Sequence, residues 1–185
     1  MEKVNACKSV MNNRIKRIAL IGPESTGKTT LAEQLAKHYK TVWVPEYSRN
    51  YVENLNRKYT KEDILLTIRE QCDAEDRMLE QANKFLFADT EPILAQVWMM
   101  DVYHEKSAEI EKLIQERAYD LYLLLSPDLP YVNDPVRENP ARRDFFFDWY
   151  KKELEERQLP YRVITGTGAS RLAFAIKEIE SLGEN

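Results

Sequence analysis

The sequence predicts an α/β fold, a three-layer sandwich in which a five-stranded parallel sheet carries helices on both faces. Three observations predict it. Short apolar runs alternate with longer segments of helical period. The first apolar run feeds Gly22-Pro23-Glu24-Ser25-Thr26-Gly27-Lys28-Thr29, which fits a phosphate-binding loop (Gly, four residues, Gly-Lys-Thr). Later apolar runs end in acidic or glycine-bearing turns, at the carboxyl ends of strands where parallel sheets bind ligands.

The expected strands are 17–21, 42–44, 85–88, 121–125 and 161–164, each short, apolar and bounded by turn residues. Helical spacing covers 28–40, 61–84, 106–119, 141–158 and about 170–182. Thr60 followed by Asp63 marks a helix start of the capping-box type. Residues 126–143, with Pro127, Pro130, Pro135 and Pro140, are too long for a plain connection and are expected to form a lid. Residues 1–16 are expected to be a tail and 17–185 a single domain.

The strand–loop–helix around Gly22 turns successive backbone N–H groups toward an anion, and the helix dipole adds partial positive charge. Lys28 is placed to reach the β- and γ-phosphates, and the Thr29 hydroxyl to ligate Mg²⁺. Gly27 lets backbone approach phosphate without a Cβ. Gly22, Glu24, Ser25, Thr26 and Thr30 complete the expected ATP-binding set.

The remaining candidates lie at strand ends. Glu46 follows the second strand and is suited to take a proton from an attacking hydroxyl or to hold a substrate hydroxyl. Arg49, one helical turn on, is suited to an oxygen-rich substrate, and Tyr47 lies between them. An ordinary helix start, with Glu46 favoured by the dipole and Arg49 as its partner, accounts for the spacing equally well. Asp89 ends the third strand as a candidate Mg²⁺ carboxylate, and Glu91 is a candidate for the metal or the substrate. Arg137, Arg142 and Arg143 fall in the lid, placed to neutralise a transferring phosphoryl group; a solvated helix start is the alternative. Trp98 is either a stacking platform or core. Phe145, Phe146, Phe147, Trp149 and Tyr150 read as core. The turn containing Gly166 and Gly168 is either a cradle for adenine or a plain connection.

Composition narrows the function classes. Among 185 residues the net charge is −4, so no basic field is available to hold nucleic acid. Two cysteines and two histidines, all apart in sequence, make neither a disulfide framework nor a zinc site. Neither a secretory signal nor a membrane-spanning run is present, so a cytoplasmic enzyme acting on a small molecule is expected. The composition leaves oligomeric state open.

With these residues in hand, the chain resembles the ribosylnicotinamide kinase domain of NadR-type proteins, a P-loop kinase group of NAD metabolism. The resemblance rests on Gly22–Thr29 with its internal Glu24-Ser25, on Pro45-Glu46-Tyr47-Ser48-Arg49, on Phe87-Ala88-Asp89-Thr90-Glu91, on strand 119–125 and on the lid at 134–143. It implies a P-loop NTPase fold like that of nucleoside kinases. It also implies ATP-dependent phosphorylation of nicotinamide riboside to nicotinamide mononucleotide. Under it Lys28 and Thr29 bind ATP and Mg²⁺, Asp89 is the second nucleotide-motif carboxylate and Glu46 is the base or ribose anchor. Arg137, Arg142 and Arg143 belong to the lid. Because only about sixteen residues precede the first strand, the adenylyltransferase and DNA-binding activities of larger relatives are expected to be absent. A kinase for another nucleoside or nucleotide fits the same motifs, as does a regulatory module that senses NAD or ATP without turnover.

Overall fold

The computed structural model describes residues 14–132 and 140–183. Among them lie strands β1 (Lys16–Ile21), β2 (Trp43–Val44), β3 (Phe85–Asp89), β4 (Leu121–Leu125) and β5 (Tyr161–Ile164). They form one sheet in the order β2-β3-β1-β4-β5, every pair parallel. The helices are α1 (Lys28–Tyr39), α2 (Tyr47–Glu53), α3 (Lys61–Leu79), α4 (Pro92–Tyr103), α5 (Ala108–Glu116), α6 (Arg143–Glu156) and α7 (Gly168–Glu180).

Side chains alternate across each strand, and the alternation builds two separate cores. Ile18 and Leu20 of β1 face one side, where Leu31 and Leu35 of α1 and Ala175 and Ile179 of α7 cover them. Ala19 and Ile21 face the other, packed by Ile64 and Ile68 of α3, Ile93 and Val97 of α4, Ile110 of α5 and Leu154 of α6. Burial on both faces explains why these strands read as continuous apolar runs. The architecture is the expected three-layer α/β sandwich.

Strand β1 lies between β3 and β4, so the chain order reverses there. A crevice therefore opens above the carboxyl ends of β1 and β3, where such sheets bind ligands. Register brings Leu20 opposite Asp89, so the end of β3 lies beside the loop that leaves β1.

Boundaries differ from expectation in physically explicable ways. The helix expected over 61–84 ends at Leu79, and the chain turns through Lys84, whose φ is +60°. Its start holds as expected: Thr60 and Asp63 each accept from the other's backbone N–H. Helix α5 is shorter than 106–119 because Ser107 caps it and Arg117 is already extended. Helix α4 was not among the expected helices. Nine of its twelve residues are hydrophobic and they fall on all sides, since the helix packs into the core, against its neighbouring helices and along a cavity, so it shows no amphipathic period.

Candidate active site

The loop after β1 takes the shape its glycines permit. Gly22 has φ +153°, and a Cβ there would lie 2.8 Å from the Leu125 carbonyl oxygen of β4, so a larger residue would push the loop off the sheet. Gly27 has φ +78° and precedes α1 as its N-cap. Inside the loop the Thr26 hydroxyl donates to the Pro23 carbonyl at 2.8 Å. The Lys28 ammonium donates to the carbonyls of Gly22 (2.9 Å) and Pro23 (3.0 Å), which folds it over the loop. Thr29 donates its hydroxyl to Asp89 Oδ2 at 2.6 Å, joining the first turn of α1 to the end of β3.

Asp89 is fully buried. Burial pushes its carboxyl up to about 6; the Lys28 charge pulls the other way and Glu46 adds to the rise. Its second oxygen, Oδ1, has no hydrogen-bond partner among the described residues. An unpaired buried carboxylate oxygen beside a threonine hydroxyl suits a hard cation such as Mg²⁺. No cluster of three or more His, Cys, Asp or Glu among the described residues could hold a metal alone. Such a cation would therefore need ligands from phosphate as well.

The loop forms one end of a cavity of about 460 Å³. Glu24, Ser25, Thr26, Gly27, Lys28, Thr29 and Thr30 line this end. Glu46 and Arg49 line its middle; Ser48 donates to Glu46 Oε1 at 2.8 Å and Arg49 donates to Glu53 at 3.1 Å. Buried Gln71 of α3 sets this segment: its Oε1 accepts from the Tyr47 N–H at 2.8 Å and its Nε2 donates to the Asp89 carbonyl at 3.4 Å. The rest of the lining is mostly apolar, with Asp101 of α4 as its one acidic residue. Leu94, Trp98 and Val102 come from α4, Phe146 and Tyr150 from α6, with Val52 and Tyr59 closing the sides. Trp98 packs edge-on to Tyr59, ring centroids 4.8 Å apart.

Several sequence candidates lie elsewhere. Glu91 is fully buried and does not line the cavity; its carboxylate accepts from the N–H groups of Ile93 (2.7 Å) and Leu94 (3.1 Å) and caps α4. Burial pushes it up to about 8. Tyr47 is exposed and stacks on Tyr51, outside the lining. Arg142 lies across Phe145 and Phe146 and makes a two-pronged pair, at 2.9 and 2.5 Å, with Asp101 of α4, a residue of the cavity lining. Arg143 donates to the carbonyls of Leu129 (2.9 Å) and Ser25 (3.1 Å). Arg137 lies outside the described residues, as does the stretch 133–139 of the expected lid. Phe146 and Tyr150 are buried as expected yet also form cavity wall, and Phe145 is exposed.

Sequence reasoning missed Ser48, Tyr59, Gln71, Asp101 and Arg171. A signal existed for the α4 wall: 94, 98, 101 and 102 fall on one helical face. None existed for Gln71 and Arg171, which act through backbone groups distant in sequence.

Comparison with known proteins agrees with this geometry. Over 155 residues the chain is 28% identical to the trifunctional NAD biosynthesis/regulator protein NadR of Escherichia coli (strain K12), covering 80% of this chain and 37% of that protein. A crystal structure of NadR protein in complex with NR superposes with a TM-score of 0.77 at 26% identity, over 91% of this chain and 51% of that one. The chain thus spans about a third to a half of the length of these relatives. The deoxyadenosine kinase of M. mycoides shares the fold, with a TM-score of 0.64 at 11% identity, over 89% and 99% of the two chains. A family model described as an AAA domain matches residues 17–171, from β1 to the start of α7 and including both the phosphate loop and Asp89, and the chain belongs to that family.

Proposed function

We propose that this chain is an ATP-dependent kinase that phosphorylates the 5′-hydroxyl of nicotinamide riboside to give nicotinamide mononucleotide. The observation that carries the reading is the cavity with unlike ends. One end is a phosphate loop of backbone amides and Lys28; the other is an aromatic wall of Trp98, Tyr59, Phe146 and Tyr150, with Glu46 between them. A donor's phosphates at the loop and a flat-ringed acceptor at the aromatic wall would meet head to head, which is the requirement for in-line transfer. The relative solved in complex with NR supports the choice of acceptor.

Each residue then has a task. Lys28 neutralises charge on the transferring phosphoryl group. Glu46, part-exposed in the cavity and oriented by Ser48, accepts the proton of the acceptor hydroxyl. Asp89 is the poorer base, because it is enclosed and already bonded to Thr29. Thr29 and Asp89 would hold Mg²⁺, which when bound offsets phosphate charge. Arg49 and Trp98 position the acceptor, and Arg137 would offset phosphate charge. We place the enzyme in the cytoplasm, where ATP is available; among the described residues no helix is long and apolar enough to cross a membrane.

The test is ATP consumption in Mg²⁺ buffer with and without nicotinamide riboside. Consumption that depends on the acceptor is the expected result. Tight ATP binding with no acceptor-dependent consumption would instead mark a nucleotide-sensing module.

A further inference from the structure

Two arginines distant in sequence grip consecutive carbonyls of the phosphate loop from outside the cavity. Arg171, at the start of α7, is 4% exposed. Its Nη1 donates to the Thr26 carbonyl at 2.6 Å. Its Nη2 donates to the Ser126 carbonyl at 3.0 Å and to the Asp128 carboxylate, and its Nε to the Gly166 carbonyl at 2.7 Å. Asp128 in turn accepts from the Gly166 N–H at 2.7 Å. Arg143 repeats the pattern one residue earlier: one nitrogen on the Ser25 carbonyl, the other on the Leu129 carbonyl. Each guanidinium thus joins the loop to residues 126–129, the foot of the segment between β4 and α6.

The consequence follows from peptide geometry. In a planar trans peptide the C=O and the next residue's N–H point in opposite directions. Holding the Thr26 carbonyl toward Arg171 therefore turns the Gly27 N–H the other way. The choice matters because Gly27, at φ +78°, tolerates backbone orientations that other residues do not. A flipped Thr26–Gly27 peptide would present a carbonyl oxygen to a phosphate in place of an N–H. Neither arginine is among the residues lining the cavity, so neither is placed to touch the ligand in this arrangement.

We propose that Arg171 and Arg143 are positioning residues that fix the anion-binding orientation of the phosphate loop and lock it to the foot of the 126–129 segment. The inference rests on the reading that this loop holds ATP phosphates. Lysine keeps the charge but lacks the planar fork that reaches several carbonyls at once.

The experiment measures binding of ATP and of inorganic tripolyphosphate by calorimetry in Mg²⁺ buffer, with the KM for nicotinamide riboside and the melting temperature, for Arg171→Lys and the native chain. Arg171→Lys should weaken ATP and tripolyphosphate alike by about tenfold, the size of one lost charge-assisted hydrogen bond. The acceptor KM should not change. A lower melting temperature with unaltered ligand constants, or a loss for ATP without one for tripolyphosphate, would overturn the proposal. If Arg171→Lys does not fold, Arg143→Lys, at a half-buried site, is read against the same outcomes. Failure of the native chain to bind either ligand would refute the kinase reading itself.

Discussion

The two ends of the cavity are built by opposite means. The loop end is one continuous segment, 24–30, which on the proposed reading would meet phosphate with backbone amides and with two short or flexible side chains, Lys28 and Thr29. The acceptor end is assembled from α2, the loop after it, α4 and α6, segments about forty residues apart in sequence, and it presents side chains. Backbone recognition is set by local sequence and serves any nucleoside triphosphate. Side-chain recognition is set by tertiary packing and is free to specify one acceptor. The difference predicts that substitutions at the two ends separate cleanly in kinetic terms.

The largest effect should come from the phosphate end. Lys28→Ala is expected to lower turnover by about a hundredfold or more and to weaken ATP binding, since it removes the principal cation facing the transferred group. The acceptor's own affinity, measured by direct titration, should stay within about twofold. Loss of both affinities together would break the comparison.

Glu46 lies at the junction, so its signature should differ from either end. Glu46→Gln keeps the shape and the contact with Ser48 but cannot take a proton. A fall in kcat of about a hundredfold or more, with ATP binding near normal, is expected. Single-turnover kinetics check it; unchanged turnover would remove Glu46 from the chemistry.

At the acceptor end, Trp98→Ala should raise the KM for the acceptor by about tenfold through lost aromatic contact, leaving the KM for ATP unchanged. Equal changes in both constants would indicate that α4 had shifted and that Trp98 had acted only as core.

Asp89 and Glu91 sharpen the comparison, because two carboxyls two residues apart serve different ends. Burial raises Asp89 from 3.8 to about 6. Between those values the folded chain keeps a proton that the unfolded chain has released. The stabilisation is therefore complete below about pH 4 and is lost as pH rises through about 6. Asp89→Asn should then raise stability at pH 7 in metal-free buffer by about 1–3 kcal/mol, change it little at pH 4, and abolish turnover. Denaturant titration at the two pH values checks it; equal shifts at both would mean that the carboxyl is not perturbed by burial. For Glu91, raised from 4.5 to about 8, the same sign holds with loss through about pH 8. Glu91→Gln keeps an acceptor for the α4 N-terminus and should alter either KM by less than about twofold.

The contrast between the ends also explains what the sequence made legible. The glycines and lysine of 22–29 declare their backbone geometry locally, so the loop and the strand–helix pair around it were readable. So was the α3 start at Thr60 and Asp63, where both partners lie within one turn. Asp89 was readable because register with β1, not packing, brings it to Thr29. Of the acceptor wall only Trp98 was. Helix α4 has no polar face to reveal its period, and Phe146 and Tyr150 look like core because they are core on one side and wall on the other. Arg142 was expected at the phosphates, but it is paired with Asp101 of α4 and laid over two aromatic rings. No sequence spacing reveals a partner forty-one residues away.

The measurement that tests the account most directly is the rate of phosphoryl transfer to nicotinamide riboside against a panel of common ribo- and deoxyribonucleosides, run with the native chain and with Trp98→Ala. The account predicts a clear preference for nicotinamide riboside in the native chain that shrinks in Trp98→Ala while the KM for ATP stays fixed. A native chain that transfers to another nucleoside equally well, or a preference that survives loss of Trp98 intact, would contradict it.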